Sequence, residues 1–217
     1  NMVKQVYSDN NKTWREAAAK SGRGKEIREA LKRDMSGNIG ITVQQQIYNN
    51  TELIKSIPQD IAVKVNEKIL KETMDGTRST DIVDYIKSMV PNISENKAKL
   101  IARTETSKTS SAITEAKAKE CGCNFYIWQT SEDQRVRSSH HHMQGVLCCF
   151  NIPILPEKYL GIKSKLSPGI AGEFPNCRCY CEVITDLEDI EFPCKVALQD
   201  KIVKMNKKQF YNYFNLN

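Results

Sequence analysis

The chain has 217 residues, of which 40% are hydrophobic and 27% charged, and its formal net charge is +6. This composition is ordinary for a folded protein and excludes the collagen-like and disordered classes. No stretch approaches the roughly 20 apolar residues that cross a bilayer, and the first residues lack the apolar core of a signal peptide. We therefore expect that the protein does not contact a membrane and that it is intracellular when made. The Asn ahead of Met2 leaves open what precedes the chain.

The first 93 residues predict a helical region. Residues 12–34 are mostly strong helix formers, interrupted by a Ser-Gly-Arg-Gly break. Apolar residues recur at helical spacing between Ser56 and Asp75, which predicts an amphipathic helix of about five turns. A shorter helix follows and is stopped by Pro91.

The second half of the chain changes from one long helix to strands. Ser94 can cap a polar helix that ends at Gly122. Aromatic and β-branched residues then predict three strands, at residues 125–128, 146–150 and 179–184. The sequence therefore predicts an α+β fold, in which a helical N-terminal region precedes a small antiparallel-sheet domain packed on the long helix. The expected boundaries are 1–93, 94–194 and a basic, aromatic tail at 195–217.

Four clusters place polar groups that are costly to bury beside apolar residues. They read A-R-T-E-T from Ala102, W-Q-T from Trp128, D-Q-R-V-R from Asp133 with His140 and Gly145 behind it, and N-C-R-C from Asn176. In this order and with these gaps, they resemble the phage head morphogenesis family, whose best-known members are the Mu F-like minor head proteins. The resemblance covers about residues 95–184. The motif residues are Arg103, Thr104, Glu105, Trp128, Asp133, Arg135, Arg137, His140, Gly145, Cys177, Arg178 and Cys179.

The resemblance implies a structural role in a tailed, double-stranded DNA phage or prophage, without catalytic turnover. Such a protein is incorporated in low copy near the portal vertex during head assembly. The implied partners are the portal, scaffold or coat protein, with packaged double-stranded DNA as a further candidate. The implied location is the phage head, and the bacterial host cytoplasm during assembly.

The charged motif residues also predict an internal network. Arg103 and Glu105 are too close in sequence to face each other on one helix. We therefore expect Arg103 to pair with a carboxylate such as Asp133, and Glu105 to receive Arg135 or Arg137. This interpretation is favoured over a role in binding or catalysis.

His140, Cys177 and Cys179 are candidate zinc ligands, because zinc prefers thiolate and imidazole donors. Two cysteines separated by one residue project to the same face of a strand. Asp133, Cys149 and Cys181 are conceivable fourth ligands. Buried free thiols beside a hydrogen-bonded histidine would explain the same residues, as would a disulfide from Cys177 or Cys179 to Cys148, Cys149 or Cys194.

Basic residues are concentrated in two segments. Residues 12–33 carry a surplus of Lys and Arg, and residues 201–214 mix lysines with aromatic side chains. Such segments can contact nucleic acid, although a solvated helix surface and a fraying terminal helix explain them as well. The candidate nucleic-acid contacts are Arg15, Lys20, Arg23, Lys25, Lys204, Lys207 and Lys208.

Two further functions compete with the head protein. Glu105, Asp133 and His140 could serve a metal-dependent, nuclease-like phosphoryl-transfer enzyme, although the chain lacks a phosphate-binding glycine loop, an H-E-x-x-H motif and a nucleophile elbow. The second competing function is a zinc-stabilised nucleic-acid-binding module. It predicts bound metal and a DNA affinity that falls with salt.

Overall fold

The computed structural model describes residue 41, residues 57–75 and residues 79–216. The helices expected within residues 12–34 lie outside the described residues. So do four candidate nucleic-acid contacts, Arg15, Lys20, Arg23 and Lys25.

Three helices form the first layer. They are α1 (Gln59–Asp75), α2 (Ser79–Met89) and α3 (Glu95–Glu120). Val65 and Ile69 of α1 are fully buried, as is Ile86 of α2, and Ala98 of α3 packs among them. The small Ala98 side chain lets the helix backbones approach closely, so the apolar spacing in the sequence becomes one helical core.

Helix α3 belongs to two cores. Ser94 caps its first turn by accepting a hydrogen bond from the Lys97 amide, as the sequence predicted. Its N-terminal half packs in the helical core through Ala98 and Ala102, whereas Ala118 near its C-terminus packs in the core of the sheet. Because α3 is covered along most of its length, it also buries Ser and Thr residues, among them Thr104, Thr109 and Ser110.

A five-stranded sheet follows. Its strands are β1 (Phe125–Thr130), β2 (Val146–Cys149), β3 (Cys179–Ile184), β4 (Cys194–Ala197) and β5 (Ile202–Met205), in the order β3-β1-β2-β4-β5. The pairs β1–β2, β1–β3 and β4–β5 are antiparallel, and β2–β4 is parallel. The α+β class is confirmed, and the sheet is mixed rather than antiparallel throughout because β4 returns alongside β2.

Both faces of the sheet are buried. Tyr126 and Trp128 of β1 point to the α3 side, whereas Phe125 points to the opposite face. This alternation follows from the two-residue period of a strand. The α3 side also receives the long connection between β2 and β3, through Ile154 and Phe174. Two short helices lie along the chain here, α4 (Ser138–His141) before β2 and α5 (Pro156–Tyr159) within the connection.

The C-terminal residues are part of the sheet. A 3₁₀ turn (Leu187–Asp189) leads to β4 and β5, and helix α6 (Lys207–Phe214) follows. Phe210 of α6 is fully buried, with its ring centroid 5.0 Å from that of Phe125. The boundary expected at residue 194 therefore falls inside β4, and the segment expected to be a tail covers the second face of the sheet. No helix in the described part of the chain is long and apolar enough to span a membrane.

Candidate metal centre

The N-C-R-C motif lies in a five-residue stretch, residues 175–179, that we call the cysteine segment. Asn176, the first residue of the motif, lies in the left-handed backbone region, with φ of 53°, a conformation that Asn adopts more readily than most residues. Two motif residues of α3 hold it there. Arg103 Nη1 donates to Asn176 Oδ1 at 3.3 Å, and Thr104 Oγ1 accepts from the Asn176 amide at 2.9 Å. Helix α3 therefore fixes the residue that precedes Cys177.

The turn after β1 holds the middle of the cysteine segment. Arg178 Nη1 donates to Asp133 Oδ2 at 2.5 Å, and the Arg178 carbonyl accepts from the Ser131 amide at 2.9 Å. The other oxygen of Asp133 accepts from the Arg135 amide at 2.8 Å. This amide and the charge of Arg178 both hold the pKa of Asp133 below its usual value. Asp133 is therefore an ionised carboxylate that joins its own turn to the cysteine segment.

Arg137 holds the start of the cysteine segment. Its Nη2 donates to the Pro175 carbonyl at 2.7 Å. The Arg135 side chain is exposed, and it is the Arg135 backbone amide that takes part. The motif residues Arg103, Thr104, Asp133, Arg137 and Arg178 thus converge on the same five residues.

His140 faces both cysteines. Its Nδ1 lies 3.4 Å from Cys177 Sγ and 3.4 Å from Cys179 Sγ, and the three ligand atoms all lie within 4.8 Å of one another. His140 is 1% exposed and Cys179 is buried, whereas Cys177 is half-buried. This is the one group of three or more His, Cys, Asp and Glu ligands within metal-binding distance in the described residues.

The opposite side of the imidazole faces a carboxylate. His140 Nε2 lies 3.7 Å from Glu157 Oε1, which is longer than a hydrogen bond. The same oxygen accepts from Ser139 Oγ at 3.1 Å, and Glu157 Oε2 is buried without a partner in the described part of the chain. A buried carboxylate with unused acceptor capacity is costly unless a donor reaches it.

Aromatic rings enclose the histidine. The rings of Trp128 and Phe174 meet the imidazole edge to face, with centroids 5.5 and 5.1 Å away. Gly145, another motif residue, has φ of 71° and donates its amide to the Trp128 carbonyl at 2.9 Å. It thereby positions the start of β2 beside Trp128.

The two cysteines differ in their affinity for protons. The Cys179 thiol donates toward the Cys177 sulfur, and this contact together with His140 holds the pKa of Cys177 well below its usual value against the opposing effect of burial. The pKa of Cys179 is raised by the same contact with Cys177 and by burial. Of the two thiols, Cys177 is therefore the more acidic.

Two expected charge pairs are wrong. Arg103 pairs with Asn176 rather than with Asp133, whose partner is Arg178. Glu105 accepts from Lys108 of its own helix at 3.2 Å, rather than from Arg135 or Arg137. Burial raises the pKa of Glu105, and Lys108 opposes the shift only in part. The physical reason is that the cysteine segment, and not the Asp133 turn, lies opposite Arg103.

The structure also bears on the disulfides, the fourth ligand and the nuclease-like cluster. All eight cysteines are free in this structure, so the alternative of a disulfide from Cys177 or Cys179 to Cys148, Cys149 or Cys194 is not formed in it. In the described residues none of Asp133, Cys149 and Cys181 lies within the His140 group. Glu105 and Asp133 do not join His140 either, which leaves the nuclease-like enzyme without its expected metal cluster in that part of the chain.

The C-terminal lysines differ in their surroundings. Lys207 Nζ lies 2.7 Å from Glu188 Oε2, so its charge is already paired. Lys204 and Lys208 are exposed. Lys204 also lies directly opposite the exposed Lys195 across the β4–β5 pair. Sequence reasoning did not identify Lys195, because its cross-strand partner is visible only from the register.

Sequence reasoning also missed Asn176 as a side-chain partner, and it missed Ser139, Glu157 and Gly172. A Cβ atom at Gly172, where φ is 94°, would overlap Ser111 Oγ and lie 3.2 Å from the Cys179 carbonyl oxygen. Asn176 belongs to the N-C-R-C motif, so the motif was a signal that could have identified it as a site residue. Glu157 and Gly172 lie in the long connection, where no periodicity points to them.

A known protein family matches more than half of the chain. Residues 63–182 match the family described as "Phage Mu protein F like protein", a range that runs from inside α1 to β3. The chain belongs to this family. The match begins well before the motifs that carry the resemblance, so it includes most of the helical layer, and it ends before β4, β5 and α6.

One relative was found in Haemophilus influenzae (strain ATCC 51907 / DSM 11121 / KW20 / Rd), where it is described as an uncharacterized protein. It is 29% identical over 174 residues, which make up 80% of this chain and 35% of the relative. The chain thus spans 35% of the length of this relative. No solved structure matches the chain.

Proposed function

We propose that this Mu F-like protein is a minor component of a tailed-phage head, incorporated in low copy near the portal vertex during assembly. The observation that carries the proposal is the family match over residues 63–182, which includes both the helical layer and the motif residues around the cysteine segment. Its location is then the virion, after assembly in the host cytoplasm. The proposed direct partners are the portal, scaffold or coat proteins.

The motif geometry fits a structural role. Arg103, Thr104, Asp133, Arg137 and Arg178 all hold residues of the cysteine segment. Groups that are engaged in internal hydrogen bonds fix the relative positions of α3, the β1 turn and β3. Such a network favours one rigid arrangement, which is what an assembly component needs to present a constant surface to its partners.

The test is co-assembly. The chain is co-expressed with the coat, scaffold and portal proteins of the same phage, and procapsids are purified on a density gradient. We expect the chain to sediment with procapsids at a few copies per head, and to be lost from them when the portal gene is omitted. A chain that stays at the top of the gradient although complete procapsids form contradicts the proposal. Equal incorporation without the portal contradicts the portal position.

Contact with packaged DNA is a second part of this proposal, and one observation favours it. Lys195 and Lys204 are both exposed and face each other across the β4–β5 pair. Like charges directly opposite each other are unfavourable in a sheet, and a phosphate backbone relieves the repulsion. Lys208 is a further exposed charge nearby in sequence, whereas Lys207 is neutralised by Glu188.

Salt dependence tests the DNA contact. The double substitution Lys195→Gln and Lys204→Gln removes two phosphate contacts, so we expect the slope of log affinity against log salt to fall by about 2. The control is Lys207→Gln, which removes a lysine already paired with Glu188 and leaves the slope nearly unchanged. No affinity at low salt, or equal slopes for all three proteins, contradicts contact through these lysines.

A further inference from the structure

Hydrogen bonding alone would give His140 Nδ1, between two sulfurs, only a bond divided between them. A ring nitrogen carries either one proton or one lone pair, so it forms one full hydrogen bond or divides that bond between two partners. Yet Nδ1 lies at the same distance, 3.4 Å, from Cys177 Sγ and from Cys179 Sγ. Equal distances to both sulfurs are expected when all three atoms surround a common centre.

The distances agree with a tetrahedral zinc ion. Zinc lies about 2.3 Å from thiolate sulfur and about 2.0–2.1 Å from imidazole nitrogen, which places sulfur and nitrogen about 3.6 Å apart at the tetrahedral angle. The observed separations are 3.4 Å, and all three atoms lie within 4.8 Å of one another. We propose that His140 Nδ1, Cys177 Sγ and Cys179 Sγ bind one Zn²⁺ ion.

Glu157 completes the surroundings that a zinc-bound histidine requires. A histidine that binds metal through one nitrogen carries its proton on the other, and that N–H is usually donated to a carboxylate or carbonyl. His140 Nε2 faces Glu157 Oε1 at 3.7 Å, and Glu157 Oε2 has no partner among the described residues. Zinc at Nδ1 fixes the proton on Nε2, where a shift of a few tenths of an ångström forms the bond. Glu157 is thus a positioning residue.

The network around the cysteine segment prepares the ligands. Asn176 and Arg178 flank Cys177, and they are held by α3 and by Asp133 respectively. Two thiolates neutralise the charge of Zn²⁺, so the ion adds no net charge to a largely buried site. Cys177 is the half-buried ligand, so its side of the cluster is open to solvent, and water would supply the fourth ligand.

A competing interpretation is a nucleophilic thiol. Cys177, His140 and Glu157 lie in the order thiol, imidazole, carboxylate that activates cysteine nucleophiles. That arrangement has no use for Cys179, which lies as close to His140 as Cys177 does. The zinc site uses both sulfurs and is favoured for this reason.

Metal analysis of the full chain tests the proposal. The protein is expressed with added zinc, purified without chelators and measured by mass spectrometry of the metals. We expect one zinc ion per chain, with loss of zinc in Cys177→Ser, Cys179→Ser and His140→Asn. The matched control is Cys194→Ser, a half-buried cysteine of β4 outside the cluster, which keeps its zinc. A zinc-free wild-type protein, or equal zinc loss in the control, overturns the proposal.

Three measurements remain informative if a ligand variant fails to fold. Cobalt added to the chelated wild-type chain should give the intense visible absorption of a tetrahedral thiolate complex, and its absence overturns the proposal. Glu157→Gln should still bind zinc, with the Kd raised about 10- to 100-fold; an unchanged Kd overturns the role of Glu157. Alkylation of Cys177 should be slow with zinc and fast after chelation. Equally fast alkylation in both states overturns the metal site and supports the nucleophilic thiol.

Discussion

Arg178 Nη1 donates to Asp133 Oδ2 at 2.5 Å across 45 residues of chain, and Arg178 is the residue between Cys177 and Cys179. The Arg178 side chain is 5% exposed, whereas that of Asp133 is 37% exposed. A nearly buried guanidinium therefore reaches out to a carboxylate near the surface. The two cysteines consequently cannot leave His140 without disturbing the turn after β1.

Thr104 provides a test of the connection between α3 and the cysteine segment. Its Oγ1 accepts from the Asn176 amide at 2.9 Å, so Thr104→Val leaves that donor unpaired. We expect the free energy of unfolding, measured by chemical denaturation, to fall by about 1–2 kcal/mol. The control is Thr106→Val on the same helix, where the buried hydroxyl has no partner in the described part of the chain. That variant should be as stable as the wild type or more so, and equal losses would refute the connection.

Gly172 tests the close approach of the long connection to α3. Both Gly172 and Gly145 have positive φ, at 94° and 71°. Gly145→Ala meets no atom within 4 Å, so we expect only the backbone cost of about 1–2 kcal/mol. Gly172→Ala also overlaps Ser111 Oγ, which is held by its bond to the Ala171 carbonyl at 2.8 Å.

Gly172→Ala should therefore lower the free energy of unfolding by about 1–3 kcal/mol more than Gly145→Ala does, because of overpacking. Thermal unfolding of the two variants measures the difference directly. Equal midpoints for both would show that α3 and the connection are not in contact at Gly172.

Phe210 tests whether the C-terminal residues belong to the sheet. Phe210 is fully buried and packs on Phe125 of β1. We expect Phe210→Ala to lower the free energy of unfolding by about 3–5 kcal/mol. Tyr213→Ala, on the exposed side of α6, should change it by no more than about 0.5 kcal/mol. If both substitutions leave stability unchanged, residues 195–217 are a separate tail.

The sequence predicted the elements well where the signals are local. Ser94 caps α3 and Gly122 follows its end, because capping depends on residues within one turn. The strand at residues 179–184 was found with the observed bounds, Cys179–Ile184. The family motif and the ligand preferences of zinc gave the candidate ligands His140, Cys177 and Cys179, which the structure brings together.

The partners of the charged motif residues could not be predicted in the same way. Helical spacing shows that Arg103 and Glu105 point in different directions, but not what lies opposite either one. That depends on the path of the connection from β2 to β3, which carries Glu157, Gly172 and Asn176 without any regular pattern. Near the C-terminus the sequence drew attention to the lysines and predicted a tail. It did not indicate that Phe210 is fully buried and holds α6 on the sheet.

The burial of Glu105 predicts that the stability of the protein depends on pH. Burial raises its pKa above 4.5, so the folded state binds the proton more tightly than the unfolded state does. At pH values below 4.5 Glu105 is protonated in both states and its burial costs no stability. The free energy of unfolding falls as the pH rises through the raised pKa. Glu105→Gln removes this loss, so the variant should gain unfolding free energy relative to the wild type between pH 4 and pH 7.

The control for Glu105 lies on the same helix. Lys99 lowers the pKa of the exposed Glu95, so Glu95→Gln should lose stability relative to the wild type over the same pH change. Denaturation curves at both pH values measure the two differences. A relative loss for Glu105→Gln on raising the pH would contradict the burial of an ionisable carboxyl at this position.

The central claim is that the motif residues act as one unit on the cysteine segment, and a double-mutant cycle on Asp133 and Arg178 tests it most directly. The free energy of unfolding is measured for the wild type, Asp133→Asn, Arg178→Gln and the double variant. We predict that the double variant loses less stability than the two single losses added together, because the second substitution removes a partner that is already unpaired. Strictly additive losses would show that the two residues do not interact, and would contradict the claim.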